Sequence, residues 1–192
     1  MAESKPHGRV PEWAVDEMFV DRWSPRSFVS EPIPDEQVHA LFEAARWAPS
    51  CYNDQPWLFL YSTSEEGRAR FLSTLVDANR RWAKNAPLLV YVATRRRFRH
   101  NDKENRHAAF DAGAAWVSLA FQARKLGLYA HGMAGFRKDD AYELLGLDEE
   151  EYHILAAIAV GRRGEPSALP EDLRKSETPS GRKPHGDVAR EL

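Results

Sequence analysis

The chain has 192 residues, with 27 lysines and arginines against 29 aspartates and glutamates, a formal net charge of −2 and 43% hydrophobic residues. That length and composition suit one globular domain with a sizeable core, residues 1–192; the chain is too hydrophobic for a disordered one and short for two independent domains. The near-neutral charge argues against a nucleic-acid binder, and the longest apolar runs, residues 88–93 and 154–160, are far too short to cross a bilayer.

In chain order, residues 1–11 form a polar leader without the apolar core of a secretory signal, which makes the cytoplasm the expected location. Trp13, Met18 and Phe19 predict a short helix over 12–20, running into the proline-broken, donor-rich segment 21–28. Pro34, Asp35 and Glu36 suit a first helical turn, and Val38, Leu41, Phe42 and Ala45 share a face, so a helix is expected over 35–48 with Pro49 ending it. Residues 57–63 alternate as a strand does. Thr63 to Glu66 has capping-box spacing and opens a helix through Leu75 that buries Phe71, Leu72 and Leu75. Residues 88–94 read as a buried strand. An alanine-rich helix is expected over 107–126, with Phe110, Ala114, Val117 and Phe121 in register and Trp116, Leu119 and Ala120 on other faces. A helix apolar nearly all round is buried from several sides, centrally or between subunits. Gly127 takes the place of a helix C-terminal glycine, and 128–133 leads into Ala134, Gly135 and Phe136. A short helix over 139–145 and a central strand over 154–160 follow. Four prolines and many charges then make residues 165–192 an extended tail. Helices interleaved with few strands predict an α+β fold on a small sheet.

Arg22, Ser24 and Arg26 place two guanidinium groups and a hydroxyl in one proline-stiffened turn. They read either as a phosphate clamp or as a solvated basic turn pairing with Glu17 or Asp21. Residues 49–57 join a helix to a strand with amides, a hydroxyl and two prolines, a composition suited to a planar heterocycle, or to a turn that Asn53 and Asp54 cap. Cys51 is the single cysteine, so no internal disulfide forms and redox chemistry requires a bound cofactor. It has no nearby base in sequence, and a packed thiol is the commoner fate than a nucleophile. The basic run 95–100 suits an anionic nicotinamide cofactor, a nucleic acid or, most simply, solvent. His100, His107, Asp102 and Glu104 do not match a metal site, and no glycine-rich Walker loop or dinucleotide fingerprint follows a strand.

Segments 22–28, 48–57, 127 through 136 and 182–184 together resemble the FMN-dependent nitroreductase family, in its order, over about residues 19–188. The resemblance implies a small antiparallel central sheet flanked by helices, in an intertwined homodimer with an extended C-terminal arm and two FMN sites at the interface. Under it, Arg22, Ser24 and Arg182 grip the FMN phosphate with Lys183 beside them, and Trp23 lies in the same segment. Arg26 faces the pyrimidine end of the flavin. Pro49, Ser50, Cys51 and Asn53 approach from the partner subunit, supported by Gln55; Asn79 touches the flavin edge, and Met133, Ala134 and Gly135 lie near its hydride-transferring nitrogen. Trp82 stands where relatives often have a lysine. The implied activity is ping-pong transfer of hydride from NADH or NADPH to a small acceptor such as a nitroaromatic or quinone, with no catalytic side chain and no metal. Neither nucleic acid nor membrane is an implied partner. A non-catalytic flavin-binding redox sensor or reservoir is the alternative.

Overall fold

A computed structural model of the chain describes residues 8–192, so part of the expected polar leader, residues 1–7, lies outside the described residues. The elements are α1 (Glu17–Asp21), α2 (Asp35–Arg46), β1 (Trp57–Ser62), α3 (Glu65–Thr74), α4 (Asp77–Ala83), β2 (Leu88–Arg95), α5 (Ala108–Lys125), β3 (Tyr129–Met133), α6 (Lys138–Leu145) and β4 (Tyr152–Gly161), then the short α7 (Glu171–Arg174) and α8 (His185–Val188). All strand pairs are antiparallel, in the order β1-β2-β4-β3. The expected α+β architecture is what forms.

The period of two along β2 explains the layers. Leu88, Val90 and Val92 join the core made with α2 and α5, while Leu89, Tyr91 and Ala93 join the one made with α4 and α6. Helices therefore cover both faces, and an interior strand covered on both faces reads as a continuous apolar run. On the second face Tyr91 is fully buried, and its hydroxyl meets that of Thr74 at 2.6 Å. Burial pushes the phenol up to about 12.

Helix α5 departs from expectation in its choice of face. Ala112, Ala115, Leu119, Ala120 and Ala123 pack inward, whereas Phe110 is 81% exposed and Val117 39% exposed. Small side chains let a helix approach a sheet closely, so alanines take most of the interior positions while Phe110 and Val117 face outward. Phe121 meets Phe19 of α1 edge-on at 4.8 Å. Gly127 follows the helix at a φ of 73°, as its position predicted.

Three boundaries shift for local reasons. Helix α1 begins only at Glu17, because the Asp16 carboxylate caps it by accepting from the Met18 N–H at 2.9 Å. The cap of α3 is Ser64 rather than Thr63, its hydroxyl accepting from the Gly67 N–H at 3.1 Å. Helix α2 stops at Arg46, ahead of the expected Ala48. The tail expected to be extended contains a 3-10 turn at Pro166–Ala168 besides α7 and α8.

Candidate functional site

Three guanidinium groups from distant parts of the chain converge. The half-buried Arg22 is pushed below the usual arginine range first by burial and next by the charge of Arg182, and Arg9 is pushed down by burial, then by Arg182 and Arg22. Arg9 is a bracket: its Nη1 donates to the carbonyls of Val20 (2.9 Å) and Arg22 (3.0 Å), and its Nε to that of Ser180 (2.9 Å). Asp21, a partner expected for a merely solvated turn, is engaged instead by Arg124 at 2.6 Å. Among the described residues nothing accepts a hydrogen bond from the Arg22 guanidinium, and none pairs with the Ser24 hydroxyl. Arg182 donates only to its neighbours Ser180 and Gly181. A half-buried guanidinium such as that of Arg22, with two further cations beside it, is what an anion neutralises.

Beside this cluster the leader and tail wall a cavity of about 640 Å³, lined by Arg9, Arg182, Lys183 and His185 together with Trp13 and Val188. Its walls do not include Arg22 or Ser24. Trp23 is buried at 7% exposure, edge-on to Tyr129 and beneath the Arg163 guanidinium, so its side chain belongs to the core. Trp82 is buried too, against Phe28 and His131.

The segment carrying Arg22 to Arg26 is suspended from β3. His131 Nδ1 lies 2.8 Å from the Pro25 carbonyl. A carbonyl only accepts, so Nδ1 carries the hydrogen. Burial pushes this imidazole down to about 4 from an ordinary 6.5, against the Pro25 hydrogen bond and with a smaller push from Arg26. The unfolded chain thus takes up a proton near pH 6.5 and the folded chain only near 4, so stability is complete above that window and falls as pH drops through it. Denaturant unfolding at pH 7 and 4.5 should show the wild type losing about 2.5 kcal/mol more than His131→Gln, which keeps a donor but no titrating ring. Equal losses would contradict the assignment.

Asn79 and the end of β3 come together. Asn79 Nδ2 donates to the Gly135 carbonyl at 3.0 Å, and the Val76 N–H reaches the same oxygen at 3.2 Å. A Cβ on Gly135 would stand 2.7 Å from Asn79 and 2.8 Å from Val76, so only glycine allows this approach. Met133 is buried, Ala134 exposed.

Pro49 to Gln55 form a separate feature. Tyr52, Asn53 and Gln55 all hold positive φ, between 49° and 54°, a conformation that costs free energy and persists only where surroundings impose it. Those surroundings are two acidic side chains that sequence reasoning did not single out for this role. Asp111 of α5 accepts from the Cys51 N–H at 3.1 Å. Asp54, 7% exposed, accepts from the Arg99 N–H at 2.8 Å, so it caps a loop distant in sequence rather than its own turn. The Ser50 hydroxyl accepts from the Gln55 N–H at 3.0 Å, and Gln55 Nε2 donates to the Asn53 carbonyl at 2.8 Å. Cys51 is half-buried, and no basic side chain hydrogen-bonds to it among the described residues. This loop enters β1 at one edge of the sheet, while residues 133–135 leave β3 at the other. Three inter-strand spacings, about 14 Å, separate those edges.

The basic run 95–99 is held locally: Arg95 lies 3.7 Å from Glu151, Arg96 Nε donates to the Glu149 carbonyl and Arg97 Nη1 to that of Asp102. Among the described residues no group of His, Cys, Asp or Glu side chains has a metal-binding arrangement, and no helix is long and apolar enough to cross a membrane.

Comparison with known proteins matches residues 20–81 and 73–162 to the nitroreductase family model. A protein of Streptomyces coelicolor, provisionally named NADH dehydrogenase/NAD(P)H nitroreductase, is 29% identical, covering 88% of this chain and 93% of the relative. A similarly named protein of Rhodopseudomonas palustris is 30% identical over 66% of this chain and 74% of its own. Among solved structures, an oxidoreductase containing FMN is 42% identical with a TM-score of 0.91, covering 97% of this chain and 96% of that one. A nitroreductase of Exiguobacterium sibiricum in complex with FMN shares the fold, with a TM-score of 0.76 at 21% identity over 95% of this chain and all of that one.

Proposed function

The chain belongs to the nitroreductase family, and we propose that it is an FMN-dependent oxidoreductase that takes hydride from NADH or NADPH and reduces a second small acceptor, such as a nitroaromatic or quinone, by a ping-pong mechanism. The observation that carries this reading is the Arg22 guanidinium, half-buried beside Arg9 and Arg182 with no acceptor among the described residues. A phosphate monoester supplies the missing acceptor oxygens, and the FMN in the 42% identical oxidoreductase supports that choice. Arg22, Ser24 and Arg182, with Lys183 beside them, would hold the phosphate, and Arg26 would face the pyrimidine end. The bound flavin supplies the hydride chemistry. The protein's own part is to position and to exclude water, and no side chain is needed as acid or base.

Two further observations support a homodimer with shared sites. The loop carrying Ser50 and Asn53 and the segment 133–135 lie at opposite edges of one sheet, an arrangement that suits a loop reaching the partner subunit's flavin rather than its own. Phe110 and Val117 on the outer side of α5 offer an apolar surface for a second chain. Anaerobic addition of NADH or NADPH tests turnover: the yellow absorption should bleach within seconds and return with a quinone, and initial-velocity plots should be parallel. Flavin that stays yellow would instead indicate a reservoir or sensor.

A further inference from the structure

We propose that Glu177 is a positioning residue that latches the C-terminal segment onto residues 26–27 of the same chain and thereby sets Arg182 beside Arg22. The inference rests on reading that cluster as a phosphate site. Glu177 is only 3% exposed, yet no arginine or lysine pairs with it among the described residues. Its carboxylate accepts instead from backbone: Oε1 from the N–H groups of Arg26 (2.9 Å) and Ser27 (2.9 Å), and Oε2 from Arg26 (3.0 Å). A buried carboxylate is costly unless its lone pairs are met, so this group has a strong preference for the one place where two adjacent N–H groups converge. The Ser27 hydroxyl donates to the Glu165 carbonyl at 2.7 Å, and Arg9 holds the Ser180 carbonyl on the far side of Glu177.

Chain length turns that anchor into a constraint. Arg182 lies five residues beyond Glu177, at most about 18 Å of extended chain, and Ser180 is fixed in between. Upstream, Leu169 is buried at 2% exposure and Asp172 pairs with Arg81 on the surface at 2.6 Å. Glu177 is the buried polar contact that joins this stretch to the segment bearing Arg22, Ser24 and Arg26. Its loss should free the arm and loosen the turn together.

The test uses the full chain carrying Glu177→Ala or Glu177→Gln, with flavin-fluorescence titrations of FMN and of riboflavin, which lacks the phosphate, and limited trypsin digestion after Lys175 and Arg182 without flavin. Glu177→Ala should bind FMN about 10- to 30-fold more weakly, riboflavin within about twofold of the wild type, and be cut in the arm about tenfold faster; Glu177→Gln, which keeps one acceptor, should fall between. Wild-type FMN affinity, or equal losses for both flavins, would overturn the latch. If the wild type binds neither flavin, the phosphate reading fails. Trypsin then decides the latch alone, and unchanged cleavage in both variants overturns it.

Discussion

A chain in which Arg22 and Arg182 are both alanine should bind FMN more weakly by about 3 kcal/mol or more, roughly 150-fold, while riboflavin binding changes little. Each guanidinium that meets a phosphate oxygen contributes about 1.5 to 3 kcal/mol, the scale of a hydrogen bond to a charged group. The two will not add fully, because each presses on the other: Arg182 already pushes Arg22 down, and removing either relieves that repulsion. The single variants should therefore each lose about 10- to 150-fold, and the double variant less than their product. Titration with free FMN decides it. An Arg182→Ala chain that binds FMN as tightly as its parent would remove the tail from the site.

Mixed dimers should show the other large effect. If Arg22 serves one chain's flavin and Asn53 reaches that flavin from the partner, a dimer of one Arg22→Ala chain with one Asn53→Ala chain has one site with both defects and one with neither. At a concentration where each parent variant holds little FMN, differently tagged mixed dimers should bind about one FMN per dimer. Binding energy sits in the intact constellation, so one complete site outweighs two half-complete ones. Two equally weakened sites, or a stable flavin-loaded monomer in sedimentation, would contradict sharing.

The sheet and its covering helices were legible because their signals are local. The apolar run of β2, the alanine-rich length of α5 and Gly127 after it depend on residues within a few positions of one another. The inward face of α5 was not legible, because hydrophobicity points to Phe110 and Val117 whereas close approach to the sheet selects alanine. Arg22 could be singled out from its spacing with Ser24 and Arg26, whereas Asn79 and Gly135 stood out only through ordered motifs. Their supports could not: Glu177 acts on Ser27 across 150 positions, His131 on Pro25 across 106 and Asp54 on Arg99 across 45. Each target is a backbone group, which every residue has, so no side-chain pattern announces the pairing. Arg9 stands in a polar leader whose composition gives no sign that its guanidinium brackets Val20, Arg22 and Ser180.

The cofactor released when purified protein is denatured in acid tests the phosphate cluster most directly. The proposed cluster of Arg22, Ser24 and Arg182, in a sequence without a glycine-rich dinucleotide fingerprint, would take one terminal phosphate rather than a pyrophosphate bridge. Mass analysis of the supernatant should show FMN, approaching one per chain after reconstitution; FAD, or no flavin even after reconstitution, would contradict the account.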